Sequence, residues 1–226
     1  MPQLVRSLFI VYQQQLLESY DLQKAAALFD HLRRNGTWQC PTLIALRTIA
    51  FFDDQRLLDD PRVKYVPRSW TFWTDPDRRH TIEWFKDLTD KDFANEKRAF
   101  EKRLEIVGAM HRAGVRFLAG TDTALPSVYS GFSIHEELEL FVKAGMTPME
   151  ALQTATSNPA QFFNLEQDLG TVQKGKIADL VLLDANPLDD IKNTQSINAV
   201  IVNGRFLDKK ALTNLLTQVE IAASKN

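Results

Sequence analysis

The run Val115-Arg116-Phe117-Leu118-Ala119 limits most tightly what this chain can build. It is too short for a helix, apolar apart from one arginine, and set between two amphipathic stretches. Before it, Asp90 to Gly114 reads as one long helix. Phe93, Phe100, Leu104, Val107 and His111 recur at helical steps, and Gly114 supplies a left-handed stop. After it comes a loop, then a helix from Glu136 to Ala144 ended by Gly145. Thr147, Pro148 and Glu150 open a further helix with a capping box. A buried strand with a helix on either side is the unit of a parallel α/β layer.

The flanks sharpen this reading. Asp21 to Gly36 is a helix capped by Asp21, with Leu22, Ala25, Leu28, Phe29 and Leu32 on its apolar positions. "TWQCPTLIAL" follows as an apolar run of strand length, with Pro41 marking an end or an irregularity. Residues 52–89 hold Trp70, Trp73 and Trp84 among aspartates, arginines and prolines without a sustained period. That composition reads as a folded insertion of loops and short helices, able to cover a site. Beyond Asn158-Pro159 the period shortens. Gly170 and Gly175 mark turns, Leu180 to Leu183 is a strand, and "INAVIVNGRFL" is a hairpin turning on Asn203-Gly204. A last helix runs from about Lys209 to Ser224. The expected division is 1–165, part of a (β/α) barrel carrying the 52–89 insertion, and 166–226, a β-rich composite unit with a C-terminal helix.

Composition removes several function classes. A formal net charge of -2, with lysines and arginines spread along the chain, gives no field for nucleic acid or an anionic membrane. The longest N-terminal apolar run, Leu8 to Tyr12, is too short for a signal-peptide core or a bilayer span, so a soluble protein is expected. Cys40 is the sole cysteine, which rules out a disulfide within the chain. It reads as a small buried side chain rather than a nucleophile. The natural compartment is a reducing cytoplasm, and a bacterial periplasm is equally compatible with one cysteine.

His31, His80, His111 and His135 form neither a His-x-His nor a His-x-x-x-His pair, so paired metal-ligand spacing is absent. His31 and His111 read as structural residues within helices, and His80 as exposed. His135 differs, because it precedes the acidic pair Glu136-Glu137 and follows the loop after Asp122. No G-x-S-x-G elbow or phosphate-cradling loop occurs, and "GTVQKGK" reads as a turn between strands. Asp122 closes the strand-end sequence "GTD". In a parallel α/β barrel that position is where catalytic groups sit, and a carboxylate there can bind a divalent metal and take a proton from water. On position alone the commoner reading of such a residue is an Asx-turn or helix cap.

Four stretches, "AGVRFLAGTDT", "HEELELFVKAGMTPMEALQTATSNPAQFF", "LGTVQKGKIADLVLLDANPLDDI" and "INAVIVNGRF", together resemble the C-terminal half of amidohydrolase-superfamily enzymes. The imidazolonepropionase-like hydrolases and prolidase-like dipeptidases are the nearest in pattern. The resemblance spans about Asn35 to Asn226 and is strongest from Gly114 to Arg205. It implies a distorted (β/α)8 TIM-type barrel with a divalent metal, zinc in the first instance, and a small β-domain made from both chain ends. It places "GTD" on the eighth strand and makes Asp122 both metal ligand and catalytic residue. There a metal-held hydroxide would attack an amide-type carbonyl while Asp122 carries the proton to the leaving nitrogen. His135, Tyr129 and Phe132 are the implied substrate-contacting residues.

The departure from the family is specific. Its His-x-His, its mid-barrel lysine or carboxylate and its two later histidines would lie upstream of Thr37, and residues 1–36 contain only His31. A whole barrel takes about 250 residues. The expectation is therefore about the last three barrel strands, with unpaired edges on the missing side and no metal bound by this chain alone. Its partners would be a small amide-type substrate, and the missing N-terminal half or further copies of itself. The alternatives are a non-catalytic half-barrel subunit or binding module, and a doubly wound domain using "GTD" as an acidic switch, which the hairpin-rich end disfavours. An upstream reading frame encoding a His-x-His would separate enzyme from module.

Overall fold

Two helices begin at the caps expected of them, at Asp21 and at Thr147, and a third begins at a cap on Thr89. In the computed structural model, which describes residues 15, 17–70, 85, 88–123 and 125–225, Asp21 accepts hydrogen bonds from the Gln23 and Lys24 amides at 2.8 and 2.9 Å and opens α1, Leu22–Arg34. Thr89 and Asp92 form a capping box for α4, Asp90–Arg112, as Thr147 and Glu150 do for α6, Pro148–Thr154. Between α1 and α4 lie β1 (Trp38–Gln39), α2 (Leu43–Ala50), α3 (Gln55–Leu58) and a 3-10 helix, Pro61–Tyr65. After α4 come β2 (Arg116–Phe117), α5 (Ser133–Lys143), α6, α7 (Ser157–Phe162), β3 (Leu180–Leu183), a 3-10 helix at Ile191–Gln195, β4 (Ile197–Val202), β5 (Arg205–Asp208) and α8 (Lys209–Lys225).

One expectation fails within "TWQCPTLIAL". Only Trp38 and Gln39 are extended, and Leu43 onward is helical. A short apolar run buried on all sides carries no period that separates strand from helix. Leu43, Ile44 and Ala45 are all buried, so nothing local distinguishes the two. Of the insertion, Trp70 is 49% exposed rather than buried. Trp73, Trp84 and His80 lie outside the described residues.

β1 and β2 pair in parallel, Trp38 with Arg116 and Gln39 with Phe117. These are the two paired barrel-type strands among the described residues, against about three expected. The outer edge of β2 was expected to be bare. Instead, the Ala119 amide donates to the Thr154 carbonyl and Asn158 Nδ2 donates to the Phe117 carbonyl, both at 2.9 Å. Helices α6 and α7 thus supply the bonds a neighbouring strand would make.

The core wraps β2. Leu43 and Ile44 of α2, Phe100, Leu104 and Val107 of α4, and Leu138 and Phe141 of α5 share one core with Phe117, whose ring meets that of Phe141 edge to face. Each such side chain contributes about 1.5–3 kcal/mol through burial. Gly108 lets α4 approach the end of α5, since a Cβ there would meet the Ala144 carbonyl oxygen at 2.1 Å.

The C-terminal sheet is antiparallel, ordered β3-β4-β5, with a bulge between Leu182 and Leu183. Asn203 and Gly204 turn its hairpin with φ of 50° and 72°, the two positive values the Asn-Gly pair predicts. Val181, Leu182 and Phe206 remain well exposed, so both faces of this sheet carry uncovered apolar side chains. The 191–195 turn packs on α5 and α8 packs on the 61–65 turn. Among the described residues no helix is long and apolar enough to cross a membrane.

Candidate active site

Because β1 and β2 are parallel, their C-terminal ends emerge side by side. The Leu118 amide donates to the Gln39 carbonyl at 2.9 Å and extends the pairing one step. Beyond it Cys40 lies against Gly120, where an added Cβ would stand 2.4 Å from Cys40 Sγ. Cys40 is exposed, which corrects the expectation of a buried thiol: the strand ends before it and its side chain leaves the core. Burial of its surroundings pushes the thiol up, with the charges of Glu137 and Asp122 adding to it.

Two residues past Gly120, Asp122 adopts φ 52°. Aspartate enters this left-handed region more readily than most residues. Its side chain is exposed, and among the described residues no hydrogen bond or ion pair holds the carboxylate. The Asx-turn and helix-cap readings would both have tied it to nearby amides. Thr123 instead ties the loop back, donating to the Val128 carbonyl at 3.0 Å and sharing a 3.1 Å hydrogen bond with Ser130.

The other three expected site residues form one connected turn into α5. The Tyr129 amide donates to Ser133 Oγ at 2.8 Å, and the Ser133 and Phe132 amides return bonds to the Tyr129 carbonyl. Tyr129 is buried, with the Arg62 guanidinium 4.9 Å from its ring centroid. Phe132 is half-buried and stacks on Tyr65 at 5.4 Å. The 61–65 turn therefore packs on this loop. Among the described residues no hydrogen bond joins these three side chains to Asp122.

His135 faces the C-terminal unit. Its Nδ1 lies 3.0 Å from Thr194 Oγ1, and that hydroxyl gives its own proton to the Ile191 carbonyl. The histidine must therefore donate from Nδ1, leaving the lone pair on Nε2. Burial lowers its pKa against the opposing charge of Glu136, so the neutral ring prevails at pH 7.

The two glutamates that follow behave differently. Glu136 accepts from Arg47 at 2.9 Å and from Arg62 at 2.9 Å, and Arg62 also grips Asp60. Burial alone would raise Glu136, but the Arg62 hydrogen bond and the Arg47 charge outweigh it and hold the carboxyl below its usual range. Glu137 is fully buried. Its Oε1 accepts from the Leu43 amide at 2.9 Å and its Oε2 from the Ile44 amide at 2.7 Å. Thr42, the N-cap of α2, sits at φ 47° and makes no capping bond of its own. Glu137 therefore caps α2 from 94 positions along the chain. Burial pushes it up to about 7 even so, the two backbone bonds opposing. Sequence reasoning named the acidic pair and missed this split. The signal was present: Glu137 lies four residues after Ser133 and three and four before Leu140 and Phe141, on the buried face of α5.

The residues matched by the family model are 58–207, under the description Amidohydrolase family. The chain belongs to the Amidohydrolase family. It is 32% identical over 128 residues to the ochratoxinase of Aspergillus niger, covering 54% of this chain and 26% of that protein. Among solved structures of amidohydrolase kind, a bottromycin amidohydrolase superposes with a TM-score of 0.65 at 25% identity, covering 82% of this chain and 40% of that one. A Xaa-Pro dipeptidase with bound methionine gives 0.56 at 23% identity, over 83% and 37%, and supports the fold alone. The chain thus spans about a quarter of its curated relative and two fifths of its structural one. These likenesses imply a TIM-barrel-type fold, of which the described strands close no barrel. Among the described residues no group of three or more His, Cys, Asp or Glu side chains could hold a metal, so Asp122 belongs to no such group there and the described set does not fit a complete amidohydrolase metal centre.

Proposed function

We propose that the protein hydrolyses a C–N bond in a small molecule, an amide, cyclic amide or dipeptide, with Asp122 as its acid–base residue. One observation supports this above the rest. Within an Amidohydrolase-family chain, Asp122 stands just past the C-terminal end of a parallel strand, exposed and untied by neighbours among the described residues. A carboxylate held so can take a proton from an attacking water and return it to the nitrogen as the C–N bond breaks. Tyr129 and Phe132 shape the adjoining loop, and Nε2 of His135 offers a hydrogen-bond acceptor to the substrate. A divalent metal, as the family generally uses, would draw on Asp122 together with ligands beyond the described residues.

The test is a panel of N-acyl amino acids, cyclic amides and Xaa-Pro dipeptides, assayed with the protein from the complete reading frame that encodes this chain. Asp122→Asn should lower kcat by about 10²-fold or more. Turnover unaffected by Asp122→Asn refutes the assignment. Saturable binding of the panel without turnover would favour the binding-module reading.

A further inference from the structure

The buried capping carboxylate of α5 does more than join two helices. From Glu137 the path runs through the Leu43 and Ile44 amides to the start of α2, then through the Cys40-Pro41-Thr42 turn, and so to Gly120 and Asp122. Each link is short. Thr42 is in a left-handed conformation with no capping bond from its own side chain, so the turn keeps its shape through the amides that follow it. Cys40 then presses its Sγ, and Thr42 its Cγ2, toward the Cα of Gly120, where a Cβ would meet them at 2.4 and 4.0 Å. Both strand ends are thereby registered against each other at the mouth of the parallel pair.

We propose that Glu137 is a positioning residue for the hydrolytic site: by capping α2 from within the core it fixes the Cys40–Thr42 turn against Gly120 and so sets the backbone that carries Asp122. This rests on the reading of Asp122 given above. Glu137, with no exposed surface, touches no substrate. Its loss should therefore change kcat and leave KM nearly alone, because backbone misplacement of about 1 Å can cost about 10²-fold in rate.

Exposed Cys40 gives a readout that needs no turnover. Its alkylation by iodoacetamide, followed by mass spectrometry of the peptide that contains it, reports the state of the turn. Glu137→Gln keeps the side-chain shape but turns an amide NH2 toward one backbone donor. It should speed alkylation about threefold or more, since a freed turn no longer holds Sγ against Gly120 and leaves it open to the reagent. The same substitution should lower kcat about tenfold or more with KM within about threefold. Glu137→Asp keeps the charge on a shorter arm and should fall between, which preserves the test should Glu137→Gln fold poorly. Glu139→Gln, on the same helix and bonded to Gln195 instead, should change neither reading. Alkylation at the wild-type rate in both Glu137 variants overturns the proposal, as does wild-type kcat beside altered alkylation. The two readings separate cleanly. Normal turnover in Asp122→Asn defeats the acid–base assignment, whereas a dead Asp122→Asn beside wild-type Glu137 variants defeats only the positioning role.

Discussion

Glu96 should make the protein lose stability as the pH rises, and a single substitution should abolish that loss. Its side chain lies in the first third of α4, 1% exposed, one turn from Phe93 and from Phe100. Among the described residues neither carboxylate oxygen has a hydrogen-bond partner within reach, and the Arg103 guanidinium stands at 3.7 Å. Burial therefore outweighs the Arg103 charge and lifts the group from 4.5 to about 7. A folded-state pKa above the unfolded one means that the folded protein binds the proton more tightly. The associated stability is complete below pH 4.5 and is lost as the pH climbs through about 7. At 1.36 kcal/mol per unit the span is worth about 3 kcal/mol. Glu96→Gln removes the charge and keeps the volume. Relative to wild type it should gain about 3 kcal/mol between pH 4.5 and pH 8, appearing as stabilisation at the upper end. Urea unfolding of both proteins at half-unit intervals measures this. Glu137 titrates over the same window, so the wild-type slope alone is not diagnostic and the difference between the two curves is. Parallel curves from pH 4.5 to 8 would refute the reasoning.

Two glycines offer steric tests. Gly108→Ala places a methyl 2.1 Å from the Ala144 carbonyl oxygen, a backbone atom that cannot rotate aside. It should cost about 3 kcal/mol or more in urea unfolding, and wild-type stability would show that α4 and α5 do not meet there. Gly120→Ala collides with Cys40 Sγ at 2.4 Å and with nothing else closer than 4.0 Å. The single variant should lose about 1–3 kcal/mol, and adding Cys40→Ala should restore most of it. Strictly additive losses would contradict the contact.

What the sequence showed and what it hid divide along a physical line. Asp21 and Thr147 cap with their own oxygens, and Asn203-Gly204 turns by its own backbone freedom, so each was legible within four residues. The start of α2 was not. Its cap arrives from α5, and without that carboxylate "PTLIAL" has as much claim to be a strand. The edge of β2 was hidden for the same reason, being satisfied by Thr154 and Asn158 of helices that have no sequence proximity to it.

The candidate site repeats the pattern. Asp122 could be picked out because strand, glycine and carboxylate are consecutive. The surroundings of Tyr129 and Phe132 could not, because Arg62 and Tyr65 come from a segment without a period and meet them only in the folded chain. His135 is the instructive case. The sequence set it beside two acids, yet its Nδ1 partner is Thr194, 59 residues away. That bond fixes the tautomer and leaves the lone pair on Nε2. Thr194 thereby ties the 191–195 turn to the start of α5. Thr194→Val should release that constraint without altering charge, so a role for the His135 tautomer is separable from one for its mere presence.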